Sequence, residues 1–383
     1  MRCDLLIVGG GICGLWAAWF AALAGLDVVL VDKGACGGGG SNGVLGALAP
    51  HLPDSSNEKK RFHWQALEEL PDLIAALEDE TGLSTGYGRL GRLMPIRVEG
   101  FAGRMQRCVA GAPDFWRGAG LDHGFERIET ERFAHWLNPE LAPMGLAYDH
   151  MSARVAPRLL TKALKRAISG RVKIIEGFVF DYFDEANGQV FAADGGTEIA
   201  VQNVLLAAGY ETYALLEGLT GLSLGEGVKG HSALFALEAV EDLPMLYDNG
   251  VYVVSHMNGT VAVGSSSQKE WRDPHEVQTG QCDDFIQRAK ALCPPLREAR
   301  LLSQWAGVRP YCFARDPIVG RLAADRNLFI VSGGYKIGFG LAHRLARAVV
   351  EQIAGLECHT PLPAGYDVAP HLHIAEKRKK QTN

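Results

Sequence analysis

The sequence predicts an α/β fold in two domains, one of them built on a parallel sheet assembled from discontinuous stretches of chain. Three observations predict it. At 383 residues the chain exceeds one ordinary hydrophobic core. Two short apolar runs, Leu5–Val8 and Val28–Val31, flank a glycine motif and a helix-forming segment, Leu15–Ala24. Two later apolar runs, Val204–Ala207 and Leu328–Val331, also end in glycine, at Gly209 and Gly333, as the first run does at Gly9. One sheet fed three times by separated segments leaves room between them for a second, α+β domain with a mixed antiparallel sheet.

The glycine motif carries the first chemistry. Gly9, Gly11 and Gly14 form G-x-G-x-x-G directly after the first strand. Gly9 allows the tight turn, Gly11 lets the backbone approach a pyrophosphate, and Gly14 lets the helix pack close to the strand. The helix N-terminus offers free N–H groups and a positive dipole end to phosphate. Asp32 ends the second strand, where a carboxylate accepts hydrogen bonds from a ribose and disfavours a 2′-phosphate. Residues 34–50 then hold seven glycines. Such a segment is either a flexible linker or backbone lying against a flat, bulky ligand. Its place after the second strand favours a dinucleotide that extends past the pyrophosphate, and FAD has that shape.

The remaining elements follow in order. Ser55–Thr81 is expected to be a helix, because Phe62, Ala66, Leu70, Leu73 and Leu77 recur at helical spacing. Gly86–Pro95 contains a strand start, with Arg89 and Arg92 facing outward or toward a ligand. The mixed pattern of Phe101–Leu146 reads as part of the inserted domain. Ser152–Ala167 is helical, Val172–Phe183 a strand, and Asn187-Gly188 and Gly195-Gly196 are turns before Ile199–Val201 and Val204–Ala207. Val251–Val254 and Thr260–Val263 are strands joined at Asn258-Gly259. Cys282–Leu292 is a helix, and Gly338-Phe339-Gly340 opens another, Leu341–Ile353, stopped at Gly355. The boundaries this implies are 1–88, 148–220 and 308–383 for the nucleotide domain, and 89–147 and 221–307 for the substrate domain.

Composition excludes several classes. Hydrophobic content of 47% with 21% charged residues describes a globular protein, and a net charge of −6 provides no footprint for nucleic acid. The basic tail Lys377-Arg378-Lys379-Lys380 reads as a frayed terminus. The eight cysteines show neither C-x-x-C nor metal-ligand spacing, so free thiols in a reducing compartment are expected. Leu15–Leu26, the longest apolar stretch, is too short to span a bilayer. With the first strand beginning at residue 4 there is no room for a leader before it. The expected location is cytoplasmic.

Beyond the N-terminal motif, four segments are specific: Gly-Val-Lys-Gly at 227–230, Val-Tyr-Val-Val at 251–254 running on to Gly264, Trp-Ala-Gly-Val-Arg-Pro at 305–310, and Gly-Gly-Tyr-Lys-Ile-Gly at 333–338. In this order and spacing the chain resembles the D-amino acid oxidase family of FAD enzymes, and most closely its glycine oxidase and sarcosine oxidase-like branch, over nearly its whole length. The resemblance implies a Rossmann-like FAD domain of the glutathione-reductase type. It also implies oxidative deamination of a small amino acid such as glycine, sarcosine or a D-amino acid, by hydride transfer to flavin N5 with oxygen as acceptor. A dehydrogenase passing electrons to a quinone or partner protein, a 2-hydroxy-acid enzyme and a flavin subunit of a heteromeric opine- or sarcosine-type enzyme are the alternatives. A homo-oligomer is left open.

Arg309 lies in an apolar stretch, where a permanent cation needs an anion and its fork matches a carboxylate; an internal ion pair is the other reading. In the family the matching arginine holds the substrate carboxylate. Tyr252 matches the tyrosine beside the substrate. Lys336 stands where glycine oxidases usually carry arginine, Gly334 replaces a frequent histidine and Ile337 a frequent asparagine, which puts the exact substrate in doubt. Non-covalent FAD contacts are expected from Gly9, Gly11, Gly14, Asp32 and Lys33. Ser41, Asn42 and Gly43 in the glycine loop, and Val179, Ala208 and Gly209 further on, are expected to add to them. Gly334, Lys336, Ile337 and Gly338 complete the set, with a helix N-terminus there facing the flavin edge. No Ser/His/Asp or Cys/His triad is legible, which fits chemistry that needs positioning and a neutral amine without an obligatory protein base. His51 either faces the flavin or is a satisfied loop histidine, and Cys312 is expected to be a free thiol with no flavin tether.

Overall fold

The computed structural model describes residues 1–116, 124–193, 195 and 198–382. Two eight-stranded sheets organise it. At the centre of the first is strand Arg2–Val8, parallel to Val28–Asp32 on one side and to Glu198–Leu206 on the other. Leu328–Ser332 and Lys173–Glu176 extend this parallel layer, and Ile318–Arg321 closes one edge antiparallel. Leu5 and Ile7 bury into one face, Leu6 and Val8 into the other. Helices Ile12–Leu23, Glu58–Thr81 and Gly338–Ala354 cover the first face. Both faces being buried explains why the central strands read as continuous apolar runs rather than alternating ones.

The second sheet orders Arg300–Cys312, Gly225–Ala236, Thr260–Gly264, Val251–His256, Met245–Asp248, Arg92–Pro95, Leu146–Asp149 and Phe125–Ile128. All neighbours are antiparallel except Met245–Asp248 and Arg92–Pro95, so the sheet is mixed. Helix Thr279–Leu292 and Trp136 pack beneath it. The boundaries at 148 and 308 fall inside strands of this sheet, and Arg309 is therefore one of its residues.

Several elements differ from the sequence reading, each for a visible reason. Val172–Phe183 is two strands, Lys173–Glu176 and Phe180–Asp184, because Gly177 turns the chain with φ +79°. Glu198–Leu206 is one strand where two were expected. The turn at Gly195-Gly196 falls partly outside the described residues. The long helix begins at Glu58, capped by the Asn57 side chain, which accepts the Lys60 N–H at 2.9 Å. The basic tail is helical, within Val368–Thr382, with Arg378 over the Phe313 ring at 4.0 Å and Lys379 donating to the Gly221 carbonyl at 3.0 Å. Arg92 faces neither solvent nor ligand: it is buried and paired with Asp149 at 2.7 Å. Arg89 turns back to donate to the Leu67 carbonyl. No helix among the described residues is long and apolar enough to cross a membrane.

Candidate active site

A cavity of about 1020 Å³ runs between the two sheets, and nearly every residue singled out from the sequence lines it. Its first end is made of backbone. Gly9 adopts φ +108°, and a Cβ there would lie 2.6 Å from the Ala207 carbonyl oxygen, so the turn and the approach of the neighbouring strand both require glycine. A Cβ on Gly14 would meet the Gly9 oxygen at 1.9 Å. Gly14 itself does not line the cavity; it lets the helix close on the strand. Gly11 caps the helix without a side chain of its own, and the Ser41 hydroxyl supplies the bond, accepting the Ile12 N–H at 2.9 Å. That contact joins the glycine loop to the glycine motif.

The Asp32 carboxylate is fixed by two backbone donors, the N–H groups of Gly10 and Gly34, each at 2.8 Å. Lys33 reaches across to pair with Glu211. Val179, Ala208, Gly209 and Gly43 line the same end. Asn42 does not: its carbonyl accepts from Arg158 Nε at 3.0 Å, and it serves the loop's own structure.

The second end takes side chains from the second sheet and the segment that follows strand Leu328–Ser332 of the first. Arg309 Nη1 donates to the Ser266 carbonyl at 3.1 Å, and no carboxylate pairs with the guanidinium among the described residues. Burial lowers its pKa. Gly230, in the facing strand, leaves the space it occupies, since a Cβ there would sit 2.0 Å from Nη2. Tyr252 lines the wall, its ring 4.5 Å from that of Tyr247, and burial pushes its hydroxyl pKa up. Lys336 opens toward solvent at the rim; partial desolvation and then the charge of Arg309 lower its pKa. Gly334, Ile337 and Gly338 line the cavity where helix Gly338–Ala354 begins, and no side chain caps that helix.

Sequence reasoning missed three contributors. His63, on the long helix, lines the cavity fully buried, with Nδ1 unpartnered and its pKa pushed down to about 3 by desolvation. His51, singled out instead, packs edge-on against the His63 ring at 5.1 Å and does not line the cavity. Trp305 lies against Gly43 and Gly307, joining the glycine loop to the second sheet. The Ser266 carbonyl has no sequence signature at all. Cys312 lies outside the cavity, buried against Gly333 and 3.2 Å from the Tyr213 hydroxyl, its thiol pKa pushed up to about 12 by burial.

Comparison with known proteins places this geometry. The family model described as "DAO: FAD dependent oxidoreductase" matches residues 4–352. The chain belongs to this family. Glycine oxidase of Geobacillus kaustophilus is 28% identical over 381 residues, spanning 96% of each chain, and that of Pseudomonas aeruginosa is 28% identical over 384 residues, spanning 96% of this chain and 99% of the other. The crystal structure of the Geobacillus kaustophilus glycine oxidase superposes with a TM-score of 0.84 at 25% identity, covering 96% of this chain and 98% of that one. Iminodiacetate oxidase from Chelativorans sp. BNC1 shares the fold, with a TM-score of 0.82 at 22% identity over 95% of this chain and 98% of the other.

The cavity of this FAD-dependent oxidoreductase fits its cofactor. The Gly9, Gly10 and Ile12 N–H groups are taken by the Val31 carbonyl, Asp32 and Ser41, so the fit to a pyrophosphate would rest on the backbone of Gly11 and Cys13, which lines the cavity at the start of helix Ile12–Leu23. Asp32, oriented by two N–H groups, ends the second strand on the cavity wall, where its carboxylate would suit a ribose. The same cavity, of about 1020 Å³, is lined by Ser41 and Gly43 and by the start of helix Gly338–Ala354.

Proposed function

We propose that this enzyme oxidises a small primary or N-substituted amino acid, of the glycine, sarcosine or D-amino acid class, at its carbon–nitrogen bond. One observation carries the reading: Arg309 presents its guanidinium inside the cavity, held by a backbone carbonyl, and among the described residues no carboxylate pairs with it. A desolvated permanent cation in that state favours an anionic ligand, and the guanidinium fork matches a carboxylate with two charge-assisted bonds. The glycine oxidases among its relatives support the same reading.

In this reading the first sheet's segments hold FAD and the second sheet, with Arg309 and Tyr252, presents the substrate groups. Gly9, Gly11 and the helix behind them bind the pyrophosphate, Asp32 the ribose, and Lys33, Ser41, Gly43, Val179, Ala208 and Gly209 line its path. Gly14 and Asn42 contribute indirectly, through helix packing and loop structure. Bound FAD supplies the hydride acceptor. Arg309 fixes the substrate by its carboxylate, which sets the direction of the Cα–H bond. Tyr252 walls the pocket, and its hydroxyl donates to the same carboxylate. Lys336 adds a point charge at the rim, and Gly334 and Ile337 leave that edge apolar and open. The N-terminus of helix Gly338–Ala354, with Gly338 at its entrance, aims its free N–H groups at the end of the cavity where negative charge would develop. This chemistry needs no protein base at the Cα–H; the amine need only be neutral. The imino acid would hydrolyse in water to the oxo acid with release of ammonia or the amine, and oxygen would take up the two electrons as hydrogen peroxide.

The purified protein is expected to be yellow and to release its FAD on acid precipitation, since Cys312 is sealed from the cavity. Glycine or sarcosine added without air should bleach the flavin band, and in air should yield hydrogen peroxide. Bleaching by amines that lack a carboxylate would reject the amino-acid reading. Bleaching by amino acids with no peroxide in air would assign the electrons to another acceptor.

A further inference from the structure

We propose that His231 is a positioning residue for the carboxylate anchor, acting on Arg309 through Ser266; the inference rests on the role of Arg309 given above. Residues 265–278 leave strand Thr260–Gly264 and return across the substrate end of the cavity, where Ser265 and His275 line it. One strand, Gly225–Ala236, clasps this loop from below. Lys229 Nζ donates to the Asp273 carbonyl at 2.7 Å, the Trp271 indole donates to the Gly227 carbonyl at 2.9 Å, and the backbones of Lys229 and Gln268 exchange two hydrogen bonds.

His231 binds both ends of the loop. Its ring Nδ1 lies 2.8 Å from the Ser266 hydroxyl, and its Nε2 faces the Gln278 N–H at 3.3 Å. Accepting that N–H requires a bare Nε2, so Nδ1 carries the proton and donates to Ser266 Oγ. The His231 backbone N–H donates to the same oxygen at 3.0 Å. Two donors on one hydroxyl fix Ser266, and its carbonyl is the acceptor that holds Arg309 Nη1.

The register explains why a relay is needed. Arg309 pairs with Val228 across the strands, so its side chain leaves the sheet on the face of Val228 and Gly230, opposite His231. Ser266, at the strand edge, reaches both faces: its hydroxyl meets the histidine and its carbonyl the arginine. His231 is fully buried and does not line the cavity, so it acts on substrate only through this contact.

The test is steady-state kinetics of the FAD-loaded enzyme on the amino acid that bleaches it best. His231→Ala should raise KM about tenfold with kcat changed by less than about twofold, the loss of one bond supporting a charged group. His231→Asn, whose amide nitrogen replaces Nδ1, should recover most of that loss. Ser266→Ala keeps the carbonyl but frees it, and should raise KM about threefold. Arg309→Lys is the control. Should it raise KM while His231→Ala and Ser266→Ala leave KM at the wild-type value, the relay is overturned and the anchor stands. Should Arg309→Lys also leave KM unchanged, the anchor itself is wrong. If His231→Ala does not fold or loses FAD, Ser266→Ala decides alone, an unchanged KM overturning the proposal.

Discussion

The two ends of the cavity are built on opposite principles. The cofactor end uses backbone: glycines that admit close approach, N–H groups at a helix start, and a carboxylate, Asp32, oriented by two main-chain donors. The substrate end uses cationic side chains oriented by a main-chain acceptor, Arg309 on the Ser266 carbonyl. The acid at the first end is held by two backbone donors, whereas the cation at the second has no carboxylate paired with it among the described residues. A backbone site tolerates little change because the atoms that form it have no alternative. A side-chain site is adjustable through single substitutions, and Lys336, Gly334 and Ile337 line the cavity at that end.

The comparison is broken most directly at Arg309. Arg309→Ala should cost roughly 3–5 kcal/mol in kcat/KM while FAD content stays near wild type. Flavin loss with misfolding would make Arg309 a structural residue and erase the division between the ends. Asp32→Ala tests the other end. It should weaken FAD binding by about 1.5–3 kcal/mol, through lost ribose bonds and a loosened Gly10–Gly34 turn, with KM for substrate unchanged once FAD is saturating. Equal FAD affinity, measured by fluorescence quenching, would reject the ribose assignment.

His63 tests the border between them. Its folded pKa, about 3, lies below the ordinary 6.5, so the unfolded chain takes up a proton that the folded one refuses. That group's contribution is constant above about pH 6.5, and stability falls as pH drops from there toward 3, by about 1.4 kcal/mol per unit. Between pH 6 and 4.5 the wild type should therefore lose about 2 kcal/mol more than His63→Gln in denaturant melts; parallel curves would show that the ring is not held neutral. The smallest effect is expected at Tyr252. Tyr252→Phe keeps the wall and removes one hydroxyl, and should cost about 0.5–1.5 kcal/mol in kcat/KM with FAD binding intact. An unchanged kcat/KM would leave the ring as packing alone.

Legibility in the sequence follows the same division. The cofactor end was readable because its requirements are local: a φ of +108° at Gly9, a helix packed against a strand at Gly14, an acid at a strand end. Each constrains a residue by its neighbours in the chain, so spacing alone reports it. Asn42 shows the limit, since only the fold reveals that its carbonyl is taken by Arg158. Arg92 shows it again: its partner Asp149 lies far along the chain, and nothing near Arg92 indicates that the charge is buried and paired.

By itself, then, the sequence determined the strand–helix–strand unit of the glycine motif, the glycine cradle with its acid, and the identity of Arg309 as a cation without a local partner. Periodicity and backbone conformation act over a few residues, and that is the range at which a sequence can be read. Tertiary structure decided which groups meet: His63 rather than His51 at the cavity wall, Trp305 between Gly43 and Gly307, Gly230 as the space for a guanidinium, and Ser266 as its support. Those contacts join segments far apart in the chain, and they exist only once two sheets have closed on one another.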